Sequence, residues 1–142
     1  MNNLLTGSHF QVEWGGTRIG FESVSGLEIS VDVIQYREGA QKLNTSQKAP
    51  GLKKYGNITL SRGVAKADNE FFEWWNTINF NTVDKRDITI SLLNEEHSPV
   101  VVWKVRNAFP VKIKWDNLEA SDSTVFLEYL EIANEGIVVQ NE

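Results

Sequence analysis

A chain of 142 residues with 41% hydrophobic and 23% charged residues fits one globular domain, long enough to bury a core unaided and too short for two sound ones. Its 19 acidic residues against 14 basic ones, net charge -5 and interspersed, speak against the basic stripe of a nucleic-acid binder. The absence of cysteine excludes disulfides, thiolate metal sites and thiol nucleophiles. No apolar run approaches the roughly 18 residues of a spanning helix, and Met1 to Thr6 lacks the basic-then-apolar plan of a signal peptide.

Phe10, Val12 and Trp14 alternate with Gln11 and Glu13, and Gly15-Gly16 then leads into Arg18 to Phe21, a pattern that predicts a β-hairpin. A bend is expected at Val24-Ser25-Gly26-Leu27. From Glu28 to Arg37, Ile29, Val31 and Val33 alternate with polar residues as in a strand with one apolar face. The segment Glu38 to Lys54 shows neither strand nor helix period, and a structureless loop longer than about 12 to 15 residues is uncommon inside a compact domain unless it is functional or disordered. Strand alternation resumes at Asn57 to Arg62.

The period changes once. Asp68 or Asn69 is placed to cap a helix, and Phe71, Trp74, Trp75 and Ile78 fall at i, i+3, i+4 and i+7, so one helix from about Asp68 to Asn79 is expected to plug the core. Phe72 lies off that stripe. Asp87 to Leu92 alternates as a strand, Asn94 to Pro99 is a polar turn, and Val100 to Val105 reads as a returning strand covered on both faces. Asn107-Ala108-Phe109-Pro110 reads as a further turn. Beyond it Val111, Ile113 and Trp115 point one way and Lys112 and Lys114 the other. A last long strand is expected from Thr124 to about Ala133, with Gly136 separating it from Ile137 to Val139. The fold class is mainly β, an antiparallel barrel or sandwich of about seven or eight strands with one α-helix and one long extended loop.

Chemistry is hard to find. His9 and His97 lack a second ligand at metal spacing. Glu95 and Glu96 are neighbours in a polar turn, without the burial that separates an acid from a base. Phosphate-binding, nucleophile-elbow and metal-helix motifs are missing. Trp74-Trp75 fits a core stripe better than a stacking platform, and Lys53-Lys54 fits a solvated loop or a partner's carboxylates. The expectation is a non-enzymatic assembly or binding protein with no cofactor and no metal site.

Several stretches taken in order resemble a known family: Val24-Ser25-Gly26-Leu27-Glu28, Asp32 to Gly39, Pro50 to Gly63, Asn69 to Trp75, Arg86 to Ile90, Trp103-Lys104-Val105 and Asn107 to Pro110. Together they are similar to the tail tube proteins of contractile phages, including inner-tube proteins of phage-derived contractile injection systems. The resemblance implies that residues 1–142 form one tail-tube domain whose hexameric rings stack into a hollow conduit for DNA or effector cargo, each subunit lending about four strands to a shared inner barrel. Implied partners are further copies of the chain, the sheath, the baseplate, tube-terminating proteins and the cargo. Assembly is expected in a bacterial or host-cell cytoplasm, within a virion tail or injection particle, with no stable membrane insertion.

On that basis Ser30, Asp32, Thr59 and Ser61 are expected to line the lumen, with Ile29, Val31, Ile58 and Leu60 against the core. The loop 38–55 is expected to bridge to the next ring through Lys42, Leu43, Lys48, Leu52, Lys53 and Lys54. Alternatives are a ring-forming secreted carrier of the type VI secretion kind and a monomeric ligand-binding β-barrel.

Overall fold

The computed structural model describes residues 4–16, 20–37, 39, 47–121 and 123–141. The elements in chain order are β1 (Phe10–Glu13), β2 (Phe21–Ser25), β3 (Ile29–Tyr36), β4 (Gln47–Tyr55), β5 (Ile58–Gly63), α1 (Glu70–Trp75), β6 (Arg86–Leu93), β7 (Pro99–Trp115), β8 (Leu127–Ala133) and β9 (Gly136–Asn141). Among the described residues seven strands make one antiparallel sheet in the order β1-β6-β7-β8-β5-β2, with β9 also on β7, while β3 and β4 pair only with each other.

The seven-stranded sheet folds into two leaves because β7 belongs to both. Its first half, through Arg106, lies between β6 and β9; its second half, from Phe109, pairs with β8. The break falls where a turn is expected from sequence, at Asn107 to Pro110, yet the chain does not turn. Asn107 takes a positive φ of 52°, a conformation Asn adopts more readily than most residues. Its amide donates to Oδ1 of Asp87, and its side-chain amide donates to Oε2 of Glu135 at 2.7 Å. Register slips again between Pro110 and Lys112, and such irregularities are where a strand tolerates proline. The strand therefore bends and continues. The leaves stack as a sandwich over a shared core that includes Ile88, Ile90 and Val105 from one leaf and Ile58, Leu60, Leu130 and Ile132 from the other. Among the described residues the sheet does not close into a barrel.

The expected hairpin at Gly15-Gly16 is not formed. β1 pairs with β6 and β2 with β5, so the two glycines carry the chain from one leaf to the other; Thr17 to Ile19 lie outside the described residues. Glycine is needed at position 16 because a Cβ there would collide with the Trp14 ring and the Glu70 carboxylate. That close approach lets Trp14 enter the core, edge-on to Phe71 at 5.1 Å between ring centres and tilted against Trp74.

The helix is shorter than expected, six residues instead of about three turns. Asp68, rather than Asn69, meets its start, accepting from the Glu70 amide at 3.1 Å. The end is set by Thr77, whose amide and hydroxyl both donate to the Trp74 carbonyl. Such local side-chain bonding competes with helix continuation. The Thr77 hydroxyl in turn accepts from the Asp84 amide, and Trp74 Nε1 donates to the Asp84 carbonyl at 2.6 Å. Phe71 and Trp74 are buried as expected and Trp75 is half-buried. Ile78 falls past the helix and is 41% exposed, because the chain turns away at Asn79 to Thr82, where Asn79 and Thr82 form a two-residue bridge.

Candidate assembly surfaces

Three surfaces stand out: a polar sheet face, two open sheet edges, and a hairpin that leaves the sandwich.

The polar face belongs to the second leaf, β2-β5-β8 with the second half of β7. Pairing aligns Ser25, Thr59, Glu131 and Lys112 in one row and Ser23, Ser61, Tyr129 and Lys114 in the next. Residues directly paired across strands share a face, and the alternating residues Ile58, Leu60, Leu130 and Ile132 are fully buried on the other. Lys112 and Lys114 are exposed, while Thr59, Tyr129 and Glu131 are half-buried. These five line one depression of about 180 Å³. Glu131 accepts from the Asn57 side-chain amide at 3.1 Å. The Tyr129 hydroxyl donates to Oδ1 of Asp116 at 3.0 Å, and this bond, followed by desolvation and the carboxylate's charge, raises the tyrosine pKa above its ordinary 10.0.

Thr59 and Ser61 thus lie on one polar face, as expected from the alternation in β5. Ser61 is only 2% exposed, shielded within the sheet, with its hydroxyl 2.6 Å from that of Ser23. Ser30 and Asp32 are elsewhere, in β3, which has no pairing with β5. The chain does not bring those four residues onto one surface. Ser23, Ser25, Tyr129 and Glu131 were not singled out from sequence; the alternation of Lys112 and Lys114 with Val111, Ile113 and Trp115 was the signal available for this face.

Both edges of this leaf, β2 and the second half of β7, lack a strand partner among the described residues. Beside the β7 edge a mostly apolar groove of about 330 Å³ is lined by Phe72, Trp75, Val111, Lys112, Ile113 and Trp115. Phe72, off the core stripe of the helix, therefore faces outward. Unpaired edges with apolar surface alongside are templates for another chain.

The hairpin corrects the expectation of a period-free loop. Gln47–Tyr55 is strand β4, paired with β3 from Ile29↔Tyr55 to Tyr36↔Gln47. Its sequence hid the strand because Ala49, Pro50 and Gly51 interrupt any alternation, and the register slips there. Ile29, Val31 and Val33 are 51%, 44% and 59% exposed, so Ile29 and Val31 do not pack on the core as expected, whereas Ile58 and Leu60 do. The hairpin root is fixed by Gly56 N–H donating to the Glu28 carbonyl at 2.9 Å and by the Asn134 side-chain amide donating to the Gly56 carbonyl at 3.0 Å. Gly26 has φ of 88°, and a Cβ there would strike the Asn57 carbonyl.

Lys48, Leu52, Lys53 and Lys54 are exposed on β4, with Lys54 3.0 Å from Asp32. Lys42 and Leu43 lie outside the described residues. His9 and His97, unconnected in sequence terms, stack with ring centres 5.4 Å apart; among the described residues no group of three or more His, Cys, Asp or Glu is placed to hold a metal.

The family model for the T4-like virus tail tube protein gp19 matches residues 6–138. The chain belongs to the T4-like tail tube family. Solved tail-tube relatives agree in shape as well as sequence. In the PVC sheath-tube complex of an extracellular contractile injection system in the extended state, one chain is 35% identical, with a TM-score of 0.88 over 99% of this chain and 93% of that one. A chain of the anti-feeding prophage cap, the tube-terminating cap, is 34% identical, with a TM-score of 0.90 over 100% of this chain and 94% of that one. Hcp1 from Flavobacterium johnsoniae shares the fold, at 17% identity and a TM-score of 0.57 over 94% and 95% of the two chains. No curated protein sequence matches the chain.

Proposed function

We propose that the chain is the structural protomer of the hollow inner tube of a contractile injection particle, assembled as hexameric rings that stack within a sheath. One observation carries this reading: the second leaf has four antiparallel strands with an open edge on either side and a polar face. With an even number of alternating strands, the β7 edge of one copy meets the β2 edge of the next in antiparallel sense. Head-to-tail repetition therefore continues the same sheet until it closes. Six copies give about 24 strands; at about 4.8 Å per strand the circumference is about 115 Å and the backbone diameter about 37 Å before strand tilt widens it.

That bore is too wide for side chains to fill, so the polar face carrying Thr59, Lys112, Lys114, Tyr129 and Glu131 becomes the wall of a conduit. The core faces lie behind it, and ring closure covers the edges that a monomer leaves open. The 35% identical relative, taken from an extracellular contractile injection system, favours such a particle over a virion tail. Sheath and cap are the partners the solved relatives suggest, and a wall unit has no catalytic role.

The β3–β4 hairpin, leaving one end of the leaf, serves as the bridge between rings. Negative-stain microscopy of the purified protein, with and without sheath and baseplate proteins, tests the reading. Rings and tubes are expected, and trimming residues 40–50 is expected to leave rings without long tubes. A ligand-loaded monomer, or isolated rings that load cargo and never stack under either condition, overturns it.

A further inference from the structure

The hairpin needs a seat, and the opposite end of the same leaf supplies one. We infer that Val64, Leu118 and Val125, on the loops after β5 and β7, receive the β3–β4 hairpin of a second copy in the adjoining ring. This rests on the tube reading above. Placement is the first argument. The hairpin springs from the end of the leaf marked by Ser25, Ile58 and Ile132, whereas Gly63, Trp115 and Leu127 mark the other end, from which the two loops emerge. Stacked rings of like orientation bring these ends together.

Chemistry is the second. Val64, Leu118 and Val125 are 42%, 87% and 71% exposed, an aliphatic group on loops where polar residues are the rule. The hairpin presents an uncovered stripe of the same kind, Ile29, Val31 and Val33. Charge is complementary. Residues 28–37 and 47–55 hold four basic groups (Arg37, Lys48, Lys53, Lys54) and two acidic ones (Glu28, Asp32), net +2, in a chain of net charge -5. The seat loops, residues 64–69 and 116–121, hold three acidic groups (Asp68, Asp116, Glu119) and one basic one (Lys66), net -2, with Asp68 bonded to Arg62 and Asp116 to Tyr129 and Leu127.

The seat is also held in place before anything docks. The Val64 amide donates to the Phe126 carbonyl at 2.8 Å, the Asp116 amide to the Leu127 carbonyl at 3.1 Å, and the Leu127 amide back to Oδ2 of Asp116 at 3.0 Å. Little ordering is then needed on binding. Eight residues of β3 at about 3.3 Å each reach about 26 Å, ample to cross a ring junction and lie along the next subunit's loops.

Two measurements test the seat. A benzoylphenylalanine placed at position 118 and irradiated in tubes verified by microscopy is expected to capture peptides from residues 29–55. Tubes in which it captures only other regions overturn the inference. The variant L118D/V125D, changed only at exposed loop positions, is expected to keep its far-UV circular dichroism and its ring-sized sedimentation. It should raise the concentration at which tubes appear by at least about tenfold, the factor that corresponds to about 1.4 kcal/mol. Wild-type tube assembly by that variant overturns the inference while leaving the tube reading intact. Wild-type protein that stays monomeric under all conditions overturns both.

Discussion

The guanidinium of Arg62 lies 4.2 Å from the centre of the Phe71 ring. It also lies 5.2 Å from the Trp14 ring, and it bonds Glu128 at 3.0 Å and Asp68 at 3.1 Å. Only 1% exposed, Arg62 ties β5, β8 and the approach to the helix to the aromatic centre of the core. Arg86 approaches the same cluster, 4.7 Å from the Trp74 ring.

Removing that cation leaves two carboxylates in a dry site. The substitution R62M is expected to destabilise the monomer by about 3 to 5 kcal/mol, the usual cost of breaking a buried ion pair from one side. R62M/E128Q is expected to recover part of the loss, since one of the orphaned charges is removed with it. Urea denaturation of both variants beside wild type checks the order; a single variant as stable as wild type contradicts it.

The helix stripe divides sharply in energetic terms. Phe71→Ala and Trp74→Ala empty fully buried sites, and each is expected to cost about 3 to 5 kcal/mol. Ile78→Ala alters a side chain beyond the helix and 41% exposed, so its cost is expected to stay below about 1 kcal/mol. Denaturant midpoints of the three variants provide the comparison.

Glu135 and Tyr129 make opposite contributions with pH. The Lys85 ammonium, bonded to Glu135 at 2.7 Å, holds that carboxyl below its ordinary 4.5, aided by the Asn107 side-chain amide. A depressed carboxylate stabilises the fold above the unfolded value and loses that contribution as pH falls through the folded one. E135Q is expected to flatten stability below about pH 4.5. Tyr129 behaves in reverse: its bond to Asp116 favours the neutral phenol, so the contribution is complete below pH 10.0 and is lost as pH rises through the raised folded value. Phenolate absorbance should show Tyr129 titrating closer to pH 10.0 in D116N.

Labelling of assembled tubes separates the polar face from the hairpin. The chain has no cysteine, so Thr59→Cys and Lys112→Cys report alone. Both are expected to react with a small maleimide that enters the bore and to resist one carried on a polymer too large to enter. Ser30→Cys, on the hairpin, is expected to lose reactivity when rings stack. Equal labelling of Thr59→Cys by both reagents contradicts the assignment of the inner face.

Alternation made most of this fold legible. Ile58 and Leu60 against Thr59, and Val111 and Ile113 against Lys112 and Lys114, announce strands and their faces, and the change of period at Phe71 announces the helix. Partner choice was not legible. Gly15-Gly16 has the composition of a hairpin turn, but the burial of Trp14 takes the chain to a different leaf, a tertiary demand that no local pattern reports. Asn107 to Pro110 likewise has turn composition, but bonds from Asn107 to Asp87 and Glu135, distant in sequence, hold a bend from which the strand continues.

The inner face illustrates the same limit. Thr59 was reachable from its strand, but Tyr129 and Glu131 join it only through the register of β5 with β8. Ser30 and Asp32 alternate as a wall strand should, yet among the described residues they belong to a two-stranded sheet with no strand pairing to the leaf. Its β4 half was concealed by Pro50 and Gly51, residues that read as breakers and here sit at a slipped register.

The seventeen-residue strand β7 has a mechanical meaning. A load applied to one leaf reaches the other along an unbroken run of peptide bonds through Asn107. It does not depend on side chains gripping across the core. The two layers of the sandwich cannot slide past each other without bending that strand, so the wall unit resists shear by covalent continuity.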